Sequence, residues 1–252
     1  MDNEERDQHL SQILTHWSVV FQARQGPASQ VTAAQRALME RYGGAVHRYL
    51  LGLLRDPDAA DDLSQEFAVR FLRGDFKNVE PGRGRFRDFV KQVLRNLTID
   101  HFRRRARLAG GIEDNPEPSA TDPGLRDFEE QFRVSWRDEL MDRAWRNLAK
   151  HQERTGQPYY TVLLYRAEHA DQHSPEMAEH LSRRLGRPVS AVWVRQSLLL
   201  AREKFVGFLL EEVEASLRQP TTDHLEEELA DLGLLEYCRG ELGRHRDRLE
   251  LA

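Results

Sequence analysis

The chain has 252 residues, a formal net charge of -5, 31% charged residues and a single cysteine, Cys238. One cysteine excludes an internal disulfide and argues against a cysteine-ligated structural zinc. No stretch reaches the roughly 20 apolar residues that span a bilayer, and the charged opening Met1-Asp-Asn-Glu-Glu-Arg-Asp lacks the apolar core of a signal peptide. The expectation is a cytoplasmic chain with no membrane partner, long enough for one large domain or two ordinary ones. Its richness in Ala, Leu, Glu and Arg favours an all-α fold.

A first helical block is expected over residues 10–107. Within it Asp56 is placed to cap a helix, Pro57 suits the first helical position, and Asp58, Asp61 and Asp62 complement the positive end of the helix dipole. Ala60, Leu63, Phe67 and Phe71 recur at helical spacing and mark the buried face. Asp58, Asp61, Asp62, Gln65 and Val69 fall on the opposite side. An ordinary first turn explains Asp58, but Gln65 and Glu66 lie beyond it.

The stretch Arg83 to Arg107 has the opposite character, with nine Arg or Lys against two acids. Phe86, Phe89, Val90, Val93 and Leu97 form its apolar stripe, and Arg87, Lys91 and Arg95, four apart, are expected to line one solvent-facing ridge. Such a concentration of cations, interleaved with Phe86, Phe89 and Phe102, suits nucleic acid. Arg87, Lys91, Arg95, Arg103, Arg104 and Arg105 are phosphate-neutralising candidates. Phe76, Phe86, Phe89 and Asn96 lie in or beside the Gly74–Phe86 loop and the helix after it, and could hold an unstacked base. Phe86 and Phe89 have a competing place in the core, Asn96 could simply bond nearby backbone, and Arg103-Arg-Arg105 could be a solvated helix end.

Residues 108–124, rich in Pro, Gly and acids, are expected to be a flexible linker. A second block follows over residues 125–218. Its Tyr159–Tyr165 run fits a short strand or a buried helix equally well. Ser174-Pro175-Glu176 reads as a cap and first turn, opening a helix with Met177, Leu181 and Leu185 inward. Gly186 ends it, Arg187-Pro188-Val189 turns, and Ser190 caps a helix carrying Val194, Leu198, Ala201 and Phe205. This is a helix-turn-helix pattern, which many helical hairpins share. The tail, residues 219–252, holds the acidic run Glu226-Glu-Glu228.

Both blocks together resemble the bacterial sigma-70 family, and among its members the small extracytoplasmic-function type, with N- and C-terminal additions. The carrying residues are Asp58-Ala-Ala-Asp-Asp-Leu-Ser-Gln-Glu-Phe67, Phe86-Arg-Asp-Phe-Val90, Asn96-Leu-Thr-Ile-Asp100 with Arg103-Arg-Arg105, and, in the second block, Met177-Ala-Glu-His-Leu181, Ser190 to Val194 and Ala201-Arg202. The resemblance implies a region 2-like helical bundle, a flexible linker and a region 4-like helix-turn-helix domain. It implies a non-enzymatic promoter-specificity subunit whose partners are core RNA polymerase and promoter DNA, with room for an anti-sigma factor or other regulatory protein. Carried onto this chain, Asp61, Asp62, Gln65 and Glu66 would contact polymerase. Arg85, Arg87, Lys91, Arg95, Asn96, Arg103, Arg104 and Arg105 would meet the -10 element. Ser190, Trp193, Arg195, Gln196, Ser197 and Arg202 would meet the -35 element.

Leu199 and Leu200 depart from that pattern, because two extra leucines would find little in a DNA groove beyond thymine methyl groups. One expectation is that the tail, through Leu225, Leu229, Leu232, Leu234 and Leu235, covers them, while Glu226-Glu-Glu228 competes with phosphate for Arg195 and Arg202. The plainer alternative is a small stabilising helix. A free-standing helix-turn-helix regulator and a helical adaptor that does not bind DNA are the rival functions. His47, His101, His151 and His180 show no paired ligand spacing, and His169 and His173 lack a third ligand nearby, so no metal or other cofactor is expected.

Overall fold

The computed structural model describes residues 28–73, 85–108, 123–217 and 221–250. These residues form nine helices and, among them, no strand, in agreement with the all-α expectation. In chain order they are α1 (Ala28–Leu54), α2 (Pro57–Arg73), α3 (Phe86–Leu108), α4 (Pro123–Thr155), α5 (Tyr159–Glu168), α6 (Ser174–Leu185), α7 (Ala191–Ser216), α8 (Thr222–Asp231) and α9 (Leu235–Glu250). Phe76 and most of the Gly74–Phe86 loop lie outside the described residues, as do residues 109–122 of the expected linker. The Tyr159–Tyr165 run is helical.

The described residues cluster into two units. The first contains those up to Glu139 together with Glu214–Glu228; the second contains Leu140–Val213 and the chain from Leu229.

In the first unit, α1 buries Tyr42, Ala45, Val46, Tyr49 and Leu50 and packs along α2. Their spacing of three and four residues makes one continuous face. Arg55 then adopts the left-handed region (φ 51°), and its N–H donates to the Leu51 carbonyl at 2.9 Å, ending α1 where glycine is usual. Asp56 caps α2 as expected: its side chain accepts the Ala59 N–H at 3.2 Å. Ala60, Leu63, Phe67 and Phe71 are all buried, while Asp58, Asp61, Asp62, Gln65 and Val69 are exposed. On α3 the expected stripe Phe86, Phe89, Val90, Val93 and Leu97 is buried, joined by Leu94 and Thr98.

The beginning of α4 completes this core. Trp136 stacks on Tyr42, ring centroids 4.5 Å apart and planes 3° from parallel, and lies 6.2 Å from Phe86. Phe132 meets Tyr49 edge-on at 5.3 Å. Glu139, also buried, accepts from Arg48 at 2.7 Å. Gly44 makes room for that carboxylate, since a Cβ there would stand 2.8 Å from Glu139 Oε2.

In the second unit Leu140, Ala144 and Leu148 of α4, Val162 of α5, Met177 and Leu181 of α6, and Val194, Ala201, Phe205 and Leu209 of α7 are buried. Trp145 contacts Phe205 at 4.8 Å. Buried Glu212 accepts from both Arg143 (2.8 Å) and Asn147 (3.0 Å), so its carboxylate keeps polar partners away from water. Gln152 pairs with Thr161 twice, donating to its hydroxyl at 2.9 Å and accepting its N–H at 3.0 Å, which satisfies an open donor in the first turn of α5. Leu229, Leu232, Leu234, Cys238 and Leu242 are buried, and burial pushes the Cys238 thiol up to about 12.

Trp136 therefore anchors the first unit by shape rather than by its indole N–H, which has no hydrogen-bond partner among the described residues. Trp136→Ala is expected to lower unfolding stability by about 3–5 kcal/mol. Trp136→Phe, which keeps a ring beside Tyr42 and leaves a smaller cavity, should cost clearly less. Denaturant titration of the full chain checks both; equal losses would refute the stacking account.

Candidate functional site

Helix α2 presents one polar face because Asp61 and Asp62 stand three and four residues after Asp58, and Gln65 stands four and three after them. Asp62 and Gln65 are exposed. Asp61 Oδ1 lies 2.8 Å from His47 Nε2 on α1. Glu66 is turned toward the protein: Arg70, one turn on, donates to it, and Arg104 of α3 donates to its other oxygen at 3.2 Å. The acidic and basic candidate sets thus touch at Glu66, although the sequence placed them on separate surfaces.

Helix α3 departs from the expected ridge. Arg87 is buried, and Lys91 and Arg95 are half-buried. Positions 87, 94 and 98 fall within about 40° on a helical wheel, and Leu94 and Thr98 are buried too. Arg87 therefore starts a second covered face, not a solvent-facing row. What covers it is an acid from far along the chain. Glu228 of α8 has no solvent exposure; its Oε2 pairs with Arg85 Nη1 at 3.0 Å and accepts from Arg87 Nη2 at 3.1 Å. Exposed Glu227 adds a contact to Arg85 Nη2 at 3.4 Å. Two permanently charged guanidiniums offset the cost of removing that carboxylate from water. The acidic run meets Arg85 and Arg87, which corrects the expectation that it would face Arg195 and Arg202.

Other cations of α3 also meet acids. Lys91 Nζ lies 3.4 Å from Glu129 of α4 and 3.8 Å from Asp88. Exposed Asn96 accepts from Gln92 at 3.2 Å, so its amide carbonyl is engaged along its own helix. The last two turns are different in kind. Arg103, Arg104, Arg105 and Arg107 are all exposed around Phe102, which is 46% exposed and the only ring of the basic stretch on the surface among the described residues. Phe86 and Phe89 belong to the core, as their place on the apolar stripe indicated.

In the second unit the turn between α6 and α7 forms much as its residue types dictate. The first cap is one residue earlier than expected: His173 precedes α6 and its N–H donates to Glu176 at 2.8 Å, leaving Ser174 as the first helical residue. Gly186 takes φ 65°, the left-handed ending that favours glycine. Ser182 ties the turn down, accepting the Val189 N–H at 2.9 Å. Ser190 caps α7 by accepting the Trp193 N–H at 3.1 Å.

Of the six candidate readers on this hairpin, Ser190, Arg195, Gln196 and Arg202 are exposed. Trp193 is half-buried beneath the Arg187 guanidinium, 5.4 Å from its ring centre. Ser197 is buried, because it shares the core side with Val194 and Leu198. Leu199 and Leu200 are 60% and 43% exposed, and Val192 is exposed beside them. The tail leucines Leu225, Leu229, Leu232 and Leu234 are buried without covering that pair, which overturns the covering role expected for them. No cluster of metal-ligating side chains occurs among the described residues. His169 stacks on Tyr165 at 4.3 Å, and no helix there is long and apolar enough to cross a membrane.

Residues 38–108 match the family model of Sigma-70 region 2. The match takes in most of α1 with all of α2 and α3, hence both the acidic and the basic sets, and covers less than half of the chain. No curated protein and no solved structure matches. Helices α4 to α9, including the α6–α7 hairpin and the acid run on α8, lie outside the matched residues.

The local geometry separates the two candidate serines, since Ser190 caps α7 and Ser197 is buried. Ser190→Ala should lower stability by about 1 kcal/mol through loss of the cap. Thermal unfolding checks this, and an unchanged midpoint would show that α7 does not depend on the cap.

Proposed function

We propose that the chain is a promoter-specificity subunit that brings core RNA polymerase to DNA and starts transcription there. The observation carrying this reading is the Sigma-70 region 2 match over residues 38–108, coinciding with an exposed acidic face on α2 and a cation-rich α3. In this reading Asp61, Asp62 and Gln65, with Asp58 beside them, dock on polymerase, and exposed Val69 adds apolar contact at the end of that face. Glu66 supports the face from behind through Arg70 and Arg104.

The DNA role falls first to the end of α3. Arg103, Arg105 and Arg107 offer phosphate contacts, and exposed Phe102 offers a stacking surface for an unpaired base. Arg104 contributes from its position on Glu66. Lys91, Arg95 and Asn96 lie nearer the middle of the helix, and Arg85 and Arg87 stand at its beginning, already engaged by α8. The α6–α7 hairpin would supply the upstream contact through Arg195, Gln196 and Arg202, with Trp193 beside them.

A helical adaptor that does not bind DNA is the second reading. Its support is specific: Val192, Leu199 and Leu200 expose an apolar strip on the same helix as the candidate readers. A free-standing regulator gains no comparable support, because it leaves the α2 face without a use.

Reconstitution with core polymerase separates the readings. The chain is expected to be retained by core enzyme and to yield promoter-dependent transcripts. The double variant Asp61→Arg/Asp62→Arg should lower both by about tenfold or more, as for charge reversal at a complementary interface. Retention without transcripts would favour the adaptor. No retention, or full activity of the double variant, would refute the proposed role.

A further inference from the structure

We infer that the acid pair on α8, Glu227 and Glu228, masks the start of α3 in the free chain, and that nucleic-acid phosphate must displace it to reach Arg85 and Arg87. The inference rests on the nucleic-acid role given to α3 above, and it adds a regulatory contact lying outside the matched region.

The geometry is that of a competitor for phosphate. A guanidinium fork binds a carboxylate and a phosphate through the same pair of N–H donors. Arg85 spends one nitrogen on each acid, Nη1 on Glu228 and Nη2 on Glu227, while Arg87 gives Nη2 to Glu228. Donors held this way are withdrawn from any other anion until the acids leave. The partners come from sequence positions 141 and 142 residues apart, so the acids reach α3 from a separate helix and not from α3 itself.

A purely structural role explains this poorly. Well-packed apolar side chains replace buried ion pairs with little or no loss of stability. Here, instead, a fully buried carboxylate is matched to two arginines. Glu227, whose side chain is 64% exposed, contributes little to stability as a surface pair, yet it lies on the same Arg85 fork. The pattern continues along α3, where Glu129 of α4 stands against Lys91. In the last two turns of the helix, by contrast, Arg103, Arg104, Arg105 and Arg107 are exposed. Masking the start of α3 and leaving its end open gives the free chain a weak, partial grip on DNA. Full engagement then requires α8 to yield.

The test measures binding of the full chain to a fluorescein-labelled, mixed-sequence single-stranded DNA oligonucleotide across a salt series, without polymerase. Glu228→Gln removes the charge and keeps the shape. It should tighten binding by about tenfold at low salt and steepen the log–log salt dependence by about 1.4, as expected for two phosphates newly contacted on a single strand. Glu227→Lys repeats the test at an exposed position with no core to disturb, and should give a gain of about threefold with a steeper slope. Circular dichroism melts identify which variants fold. A folded Glu228→Gln chain with unchanged affinity and slope overturns the mask. If that variant does not fold, unchanged binding by Glu227→Lys overturns it. Retention by core polymerase is scored separately on the unaltered chain, so loss of the proposed function and loss of the mask are distinguishable results.

Discussion

Helix α3 has to bury a full apolar stripe while carrying most of the cations of a nine-cation stretch, and these two demands conflict. An amphipathic helix leaves its charges in water by keeping them opposite the stripe. With cations this dense, some must sit at the stripe's margins, where packing partners enclose them. Arg87 is enclosed in this way, and it, half-buried Lys91 and exposed Arg104 are each met by an acid from another helix: Glu228 of α8, Glu129 of α4 and Glu66 of α2. Much of the first unit's electrostatic arrangement follows from that one conflict.

The conflict also sorts the surface by availability. The polar face of α2 around Asp62 and Gln65 stands in solvent, and so does the arginine-rich end of α3 around Phe102. The start of α3 is enclosed. In the proposed function this makes polymerase docking and the first DNA contact possible in the free chain, while the deeper contact waits on α8. The α6–α7 hairpin adds a different mixture, exposed Arg195, Gln196 and Arg202 next to exposed Val192, Leu199 and Leu200. A surface of that composition is suited to a partner with both phosphate and apolar groups, or to a protein.

Local rules are legible in the sequence itself. Asp56, Gly186 and Ser190 do what their residue types dictate, because a cap or a left-handed turn depends on a few neighbouring atoms. The buried stripes of α2, α3 and α7 followed from period alone. What escaped was long-range pairing. Nothing in the run Glu226-Glu-Glu228 tells which arginines it will meet, and the spacing of Arg87, Lys91 and Arg95 marks a common row without saying whether water or protein lies over it. Phe132 and Trp136 escaped for the same reason: a helix that continues through two contact units shows no break in its sequence pattern where its partners change. Ser197 was misplaced because a polar side chain on a core-facing position looks like a reader until its neighbours Val194 and Leu198 are seen to be buried.

Hydrogen exchange on the intact chain tests the central claim, that the polar face of α2 is where core polymerase binds, most directly. Amides along α2 are expected to gain protection when core polymerase is added, while those of α5 stay unchanged and those of α8 lose protection once DNA joins the complex. Exchange in α2 that is the same with and without saturating core polymerase would contradict the account.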